Sequence, residues 1–157
     1  LVSKAGMSLR FEANDESLRP MGRSSTGVIG MKFRKGDELL SMSDIKDDKK
    51  PKFVLTATDG GFAKRTPLEE YRTQGRGGVG VKAAKVDENS RGVLVGAMIV
   101  ETGDEILAIT SGGVVMRTAV AEIRETGRDT MGVRLVNLDA GISVVSIAQV
   151  KDEAEIS

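Results

Sequence analysis

Through its first 150 residues the chain alternates short apolar runs with glycine-centred turns and shows no long helical period. Met7, Leu9 and Phe11 alternate with Ser8 and Arg10, the two-residue period of a strand with one buried face. In "GVLVGAMIV" (Gly92–Val100) both faces are apolar, which predicts a strand covered on both sides. Asp59-Gly60 and Ser111-Gly112 lie between apolar runs, the chemistry of a tight hairpin that needs positive φ. Thr66-Pro67-Leu68-Glu69 has the form of a capping box with Pro67 at the first helical position, and "AVAEIRE" occupies the same place further on. One helical turn is expected at each.

These elements recur. "SKAGMSLRF" (Ser3–Phe11), "TDGGFAKRT" (Thr58–Thr66) and "TSGGVVMRT" (Thr110–Thr118) each join a glycine turn to a strand, with Arg10, Arg65 or Arg117 four residues after Gly6, Gly61 or Gly113. A second motif runs through "STGVIGMKF" (Ser25–Phe33), "RGGVGVKA" (Arg76–Ala83) and "DTMGVRL" (Asp129–Leu135). It aligns Gly30, Gly80 and Gly132, each followed two residues later by a cation: Lys32, Lys82, Arg134. Two motifs with one period of about fifty residues, four strands to a unit, predict a propeller-like array of about twelve strands. The repeats span 1–51, 52–100 and 101–150, with an acidic tail at 151–157. An array without terminal caps leaves edges open, here near Leu1 and around Val144–Ile147, so self-association or low stability is expected.

Composition narrows the chemistry. The chain has no histidine and no cysteine, which removes the usual general base and the commonest metal and thiolate ligands. No metal site or catalytic set is expected, since no spaced carboxylate pair stands out. No apolar run is long enough to span a bilayer, so no membrane partner is expected. The opening "LVSKAG" lacks an initiator methionine and reads as part of a longer polypeptide. Net charge is zero, yet residues 1–100 carry 18 basic against 13 acidic side chains and residues 101–157 carry 5 against 10. One region therefore suits an anionic partner.

At "VLTATDGGFAKRT", "ILAITSGGVVMRT" and "GRSSTGVIGMKFRKGDELL" the sequence resembles the C-terminal domain of DNA gyrase A. The resemblance covers nearly all of residues 1–150. It implies an all-β fold, a six-bladed β-pinwheel in which neighbouring blades exchange strands. Three repeats then amount to its last three blades, about half of the domain. It also implies a non-catalytic, bacterial, cytoplasmic module of a topoisomerase that wraps duplex DNA in support of negative supercoiling, without cofactor. ATP and Mg would serve other domains, and the rest of gyrase A, together with gyrase B, would be partners. The family's seven-residue box, Q-R-R-G-G-K-G, has a degenerate copy in the middle repeat: Gln74, Arg76, Gly77, Gly78 and Gly80 match, while Gly75 and Val79 replace two cations.

Glycines beside a cation let backbone amides and a guanidinium approach a phosphate closely. Arg72, Arg76, Lys82 and Lys85 cluster in the middle repeat, and Arg10, Arg23 and Lys32 take comparable places in the first. With Lys64, Arg65 and the box residues Gln74, Gly77, Gly78 and Gly80 they form the expected DNA contact, Arg76 foremost. Aromatic residues are 3% of the chain and no recognition helix is signalled, which points to backbone contact rather than base readout. Two other readings stay open: the corresponding domain of topoisomerase IV, and a propeller that binds protein rather than DNA.

Overall fold

A computed structural model describes residues 1–87 and 89–150; the tail at 151–157 lies outside the described residues. The described residues hold eleven strands: β1 (Val2–Ser3), β2 (Met7–Ser8), β3 (Leu39–Ser41), β4 (Phe53–Thr58), β5 (Phe62–Pro67), β6 (Val81–Lys82), β7 (Leu94–Val100), β8 (Glu105–Thr110), β9 (Val115–Ala119), β10 (Val133–Arg134) and β11 (Val144–Val150). They form three antiparallel sheets, ordered β3-β1-β2-β6, β10-β5-β4-β7 and β11-β8-β9.

The order of strands shows the exchange between repeats. The third strand of the middle repeat, β6, leaves its own unit and pairs with β2 of the first, setting Lys82 opposite Met7 and Val81 opposite Ser8. In the same way β10 of the last repeat pairs with β5 of the middle one, Arg134 opposite Phe62 and Val133 opposite Ala63. The third sheet, β11-β8-β9, has no such fourth strand, and the counterpart segment of the first repeat, residues 30–33, enters no sheet among the described residues. Eleven strands rather than about twelve result, because residues 30–33 pair with no strand among the described residues.

Apolar residues pack between successive sheets rather than inside one. Phe53, Leu55, Ala57, Ala63 and Val100 of the second sheet meet Ile106, Val120 and Ile123 of the third repeat. Val54, Leu68, Tyr71 and Ala83 meet Val2 of the first. All six residues of β4 are buried, since it is central in its sheet and both faces are covered. β7 packs against β3 and β11 as well as pairing with β4, as its doubly apolar sequence predicts. Each repeat buries its face on a neighbour, the behaviour of a repeat array.

Three local expectations need correction. The positive φ of the β4–β5 turn falls on Gly61 (84°), not Gly60, because the turn closes one residue later with Gly61 N–H donating to Thr58 O at 3.1 Å. The helical turn exists as a single 3-10 turn, Leu68–Glu70, with Val120–Glu122 as its counterpart, but no side chain caps either one. Thr66 and Pro67 still belong to β5, so the capping-box geometry never forms. Leu1 is not a bare apolar position, since it packs beside Met7, Leu9 and Met31 while its ammonium donates to Leu9 O. Around Val144–Ile147 the expected edge is present: β11 is the end strand of its sheet, with Val144 buried and Val145 52% exposed. The exposed apolar side chains include Leu18, Met21, Val28, Ile29 and Phe33 at one end and Val114 and Val115 at the other.

Candidate nucleic-acid interface

The cations fall into two groups according to what their side chains touch. The first group is turned onto the backbone. Arg10 Nη1 donates to Leu68 O (3.2 Å) and Tyr71 O (3.1 Å), the carbonyls of the next repeat's 3-10 turn. Arg65 repeats the arrangement one unit on, its Nε donating to Ile123 O at 2.7 Å while the guanidinium lies 4.6 Å from the centre of the Phe53 ring. Lys64 is buried, and its Nζ donates to Gly127 O (2.9 Å) and to Arg128 O. Burial pushes that amine down to about 8. These three fasten neighbouring blades, and Lys64 is out of reach of a surface ligand.

Arg76 also serves as a fastener. Its Nε donates to Ser17 O (2.8 Å) and its Nη1 to Ile29 O (2.6 Å), both in the first repeat. Around it, Gly77 N–H donates to Gly30 O and Gly78 O accepts from Lys32 N–H, each at 2.8 Å. The box-like loop therefore grips the segment that precedes it. Gln74 joins through its main chain, N–H to Arg10 O at 2.8 Å, while its side-chain Nε2 is buried with no hydrogen-bond partner. Gly80 has φ of 86°, and a Cβ there would overlap the Ser8 carbonyl, so the exchanged strand needs glycine. Arg128, the aligned arginine of the last repeat, likewise donates to Lys82 O at 3.0 Å and faces the Tyr71 ring. Burial raises the Tyr71 hydroxyl to about 12.

The second group stays in solvent. Lys32, Lys82 and Arg134 are all exposed in one repeated slot, two residues after the repeated glycine. Lys82 has a loose ion pair with Asp129 at 3.5 Å, both side chains more than half exposed, and such a pair yields easily to a competing anion. Arg72, Lys85 and Arg23 are exposed as well. Lys82 and Arg134 lie on the two exchanged strands and Lys32 on the counterpart segment of the first repeat, so each repeat presents an exposed cation in the same slot, suited to phosphate contact without base readout.

Arg91 was not signalled by the repeat pattern. Its guanidinium stacks 4.6 Å from the Phe62 ring centre and Arg134 stacks at 4.9 Å on the same ring. Arg91 also donates to Gly132 O, so it braces the exchange while Arg134 remains accessible. The signal present in sequence was Phe62, one of four phenylalanines, standing between two arginines only in three dimensions.

The family model for the DNA gyrase C-terminal domain, beta-propeller, matches this chain over residues 1–46, 52–101 and 104–151. The chain belongs to the DNA gyrase C-terminal domain family. The DNA gyrase A protein of Streptomyces coelicolor is 60% identical over 149 residues, covering 95% of the chain and 17% of the relative. The DNA gyrase A protein of Mycobacterium tuberculosis is 50% identical over 98% of the chain and 18% of its own length. The chain therefore spans about a sixth of these curated relatives. A solved DNA gyrase A C-terminal domain superposes with a TM-score of 0.79 at 28% identity, over 94% of this chain and 48% of that one. The C-terminal domain of a DNA topoisomerase IV superposes with a TM-score of 0.86 at 24% identity, over 96% of this chain and 46% of that one, a likeness of fold. No helix among the described residues is long and apolar enough to cross a membrane.

Proposed function

We propose that this chain is a DNA-wrapping part of gyrase A, binding duplex DNA along the outer exchange edges of its blades without sequence preference. The observation that carries the reading is the exposed cation recurring in one slot, Lys32, Lys82 and Arg134, while the other repeated cation, Arg10 and Arg65, is spent on fastening blades. Arg72, Lys85 and Arg23 extend the contact, and Arg76 with Gln74, Gly77, Gly78 and Gly80 shapes the loop that holds the edge in place. The gyrase names and the 60% identity support gyrase over topoisomerase IV. In this reading the chain is non-catalytic and needs no cofactor; ATP and Mg act elsewhere in a bacterial, cytoplasmic enzyme that includes the rest of gyrase A together with gyrase B.

Titrating the chain with two duplexes of unrelated sequence, each at two salt concentrations, tests this. Equal affinity for both duplexes, falling as salt rises, is expected. Absence of binding, or binding indifferent to salt, would favour a protein-binding propeller.

A further inference from the structure

The two exchanged strands set their exposed cations opposite different residues: Lys82 of β6 faces Met7, and Arg134 of β10 faces Phe62. Residues directly opposite in an antiparallel pair lie on one face of the sheet, close enough to touch. Beside Met7, which is buried, Lys82 meets no aromatic ring, and its ammonium turns to Asp129 at 3.5 Å. Arg134 instead sets its guanidinium 4.9 Å from the centre of the Phe62 ring. Its side chain donates no hydrogen bond and joins no ion pair among the described residues, so its N–H groups are open to a ligand.

Phe62 is itself held. The Arg91 guanidinium lies 4.6 Å from the same ring centre, and its Nη1 donates to Gly132 O, two residues before Arg134. Arg91 is fixed in turn through its main chain, its carbonyl accepting from Thr58 Oγ1 at 2.6 Å and its N–H donating to Asp87 O at 3.1 Å. The turn that leads into Phe62 fits closely against it, since a Cβ on Gly60 would overlap the Arg91 carbonyl. Asp59 and Asp139 border the same recess, yet neither pairs with an arginine there; Asp59 Oδ1 accepts from Val93 N–H at 2.9 Å. Two guanidinium groups on one ring repel each other, and an arriving phosphate relieves that repulsion.

On the DNA-binding reading proposed above, we infer that Phe62 is a positioning residue: it presents the Arg134 guanidinium to a phosphate of duplex DNA and makes Arg134 a stronger contact than Lys82. A cation–π contact engages the charge of the guanidinium and leaves its N–H groups to bind. The planar fork then grips a phosphate with two parallel hydrogen bonds, where an ammonium acts as a point charge. Holding the side chain in place beforehand also spares part of the ordering cost of binding, which for one long side chain is worth about two- to tenfold in affinity. Lys82 has neither advantage and must first give up Asp129. Residues 101–157 carry more acidic than basic side chains, so the contact there depends on this one prepared arginine rather than on net charge.

Phe62→Leu keeps every charge and removes the ring. Titrated with a short duplex over a series of salt concentrations, it should bind about two- to tenfold more weakly than the parent chain, with the same slope of log K against log salt. In an Arg134→Ala background Phe62→Leu should cost nothing further, and Phe62→Tyr, which keeps the ring, should bind as the parent does. Met7→Leu, the matching change beside Lys82, should leave affinity unchanged. Arg134→Lys, at an exposed position, should lose affinity at unchanged slope, which keeps the role testable where Phe62→Leu does not fold. Without DNA, the ring current of Phe62 should shift the Arg134 side-chain protons upfield in the NMR spectrum of the parent chain. Unshifted protons, full affinity for Phe62→Leu or Arg134→Lys, or an equal loss from Phe62→Leu when Arg134 is already alanine would overturn the positioning role and leave DNA binding standing. No salt-dependent binding by the parent chain would overturn the proposed function and this role together.

Discussion

Arg65 and Arg117 occupy the same slot in successive repeats, yet their surroundings predict different consequences of removal. Arg65→Ala deletes a charged hydrogen bond to Ile123 O and the contact over Phe53. A hydrogen bond to a charged group contributes roughly 1.5–3 kcal/mol, and a partly buried cation–π contact about 0.5–1 kcal/mol. The substitution should therefore destabilise by about 2–4 kcal/mol, or on the order of 5–10 °C in Tm for a domain of this size. Arg117→Ala deletes an ion pair with Glu105 in which the arginine is 63% exposed, worth roughly 0–1 kcal/mol. Urea unfolding followed by circular dichroism, in solutions dilute enough to keep the chain monomeric, compares the two. Equal losses would refute the assignment of Arg65 as a fastener between blades, as would a normal stability for Arg65→Ala.

Gly80→Ala must meet both the strain of positive φ and overlap with Ser8 O, whereas Gly27→Ala, φ 78° with open space around it, meets the strain alone. Gly27→Ala should cost about 1–2 kcal/mol and Gly80→Ala clearly more, read from urea midpoints; matching losses would mean that the exchanged strand is not tightly held. Stability should also depend on pH through two groups. Lys64 titrates at about 8 when folded against 10.5 ordinarily, so between those values the unfolded chain holds a proton the folded chain has released, and stability rises with pH, by at most about 3 kcal/mol. Tyr71 titrates at about 12 against 10.0, so above pH 10 the folded chain keeps the proton longer and stability falls. Urea midpoints should climb from pH 8 to 10 and then drop, and Lys64→Met should flatten the climb; a climb that persists in that variant contradicts the assignment.

The period of about fifty residues and the glycine slots made the blades legible in one dimension, because each repeated backbone need leaves a repeated residue. Gly80 and Gly132, aligned in that slot, both carry positive φ. What two aligned arginines touch was not legible. Arg10, Arg65 and Arg76 look like surface cations along the chain, since the carbonyls they bind lie 47 or more residues away. Lys64 alternates with Ala63 and Arg65 along β5, but both faces of that strand are covered, so period two fails to place its ammonium. Nor was it legible that β6 and β10 pair with the preceding repeat rather than with their own, because exchange is a relation between sheets that leaves no local pattern.

In the proposed function the exposed slot binds DNA and the fastened slot does not. The most direct measurement is the slope of log K against log salt for duplex binding by the parent chain, by Lys82→Ala and Arg134→Ala singly and together, and by Arg10→Ala. Each exposed cation removed should flatten the slope by about 0.9 and weaken binding to all sequences alike, while Arg10→Ala should leave the slope unchanged where the chain remains folded. A slope unaffected by the loss of Lys82 and Arg134, or one flattened equally by the loss of Arg10, would contradict the account.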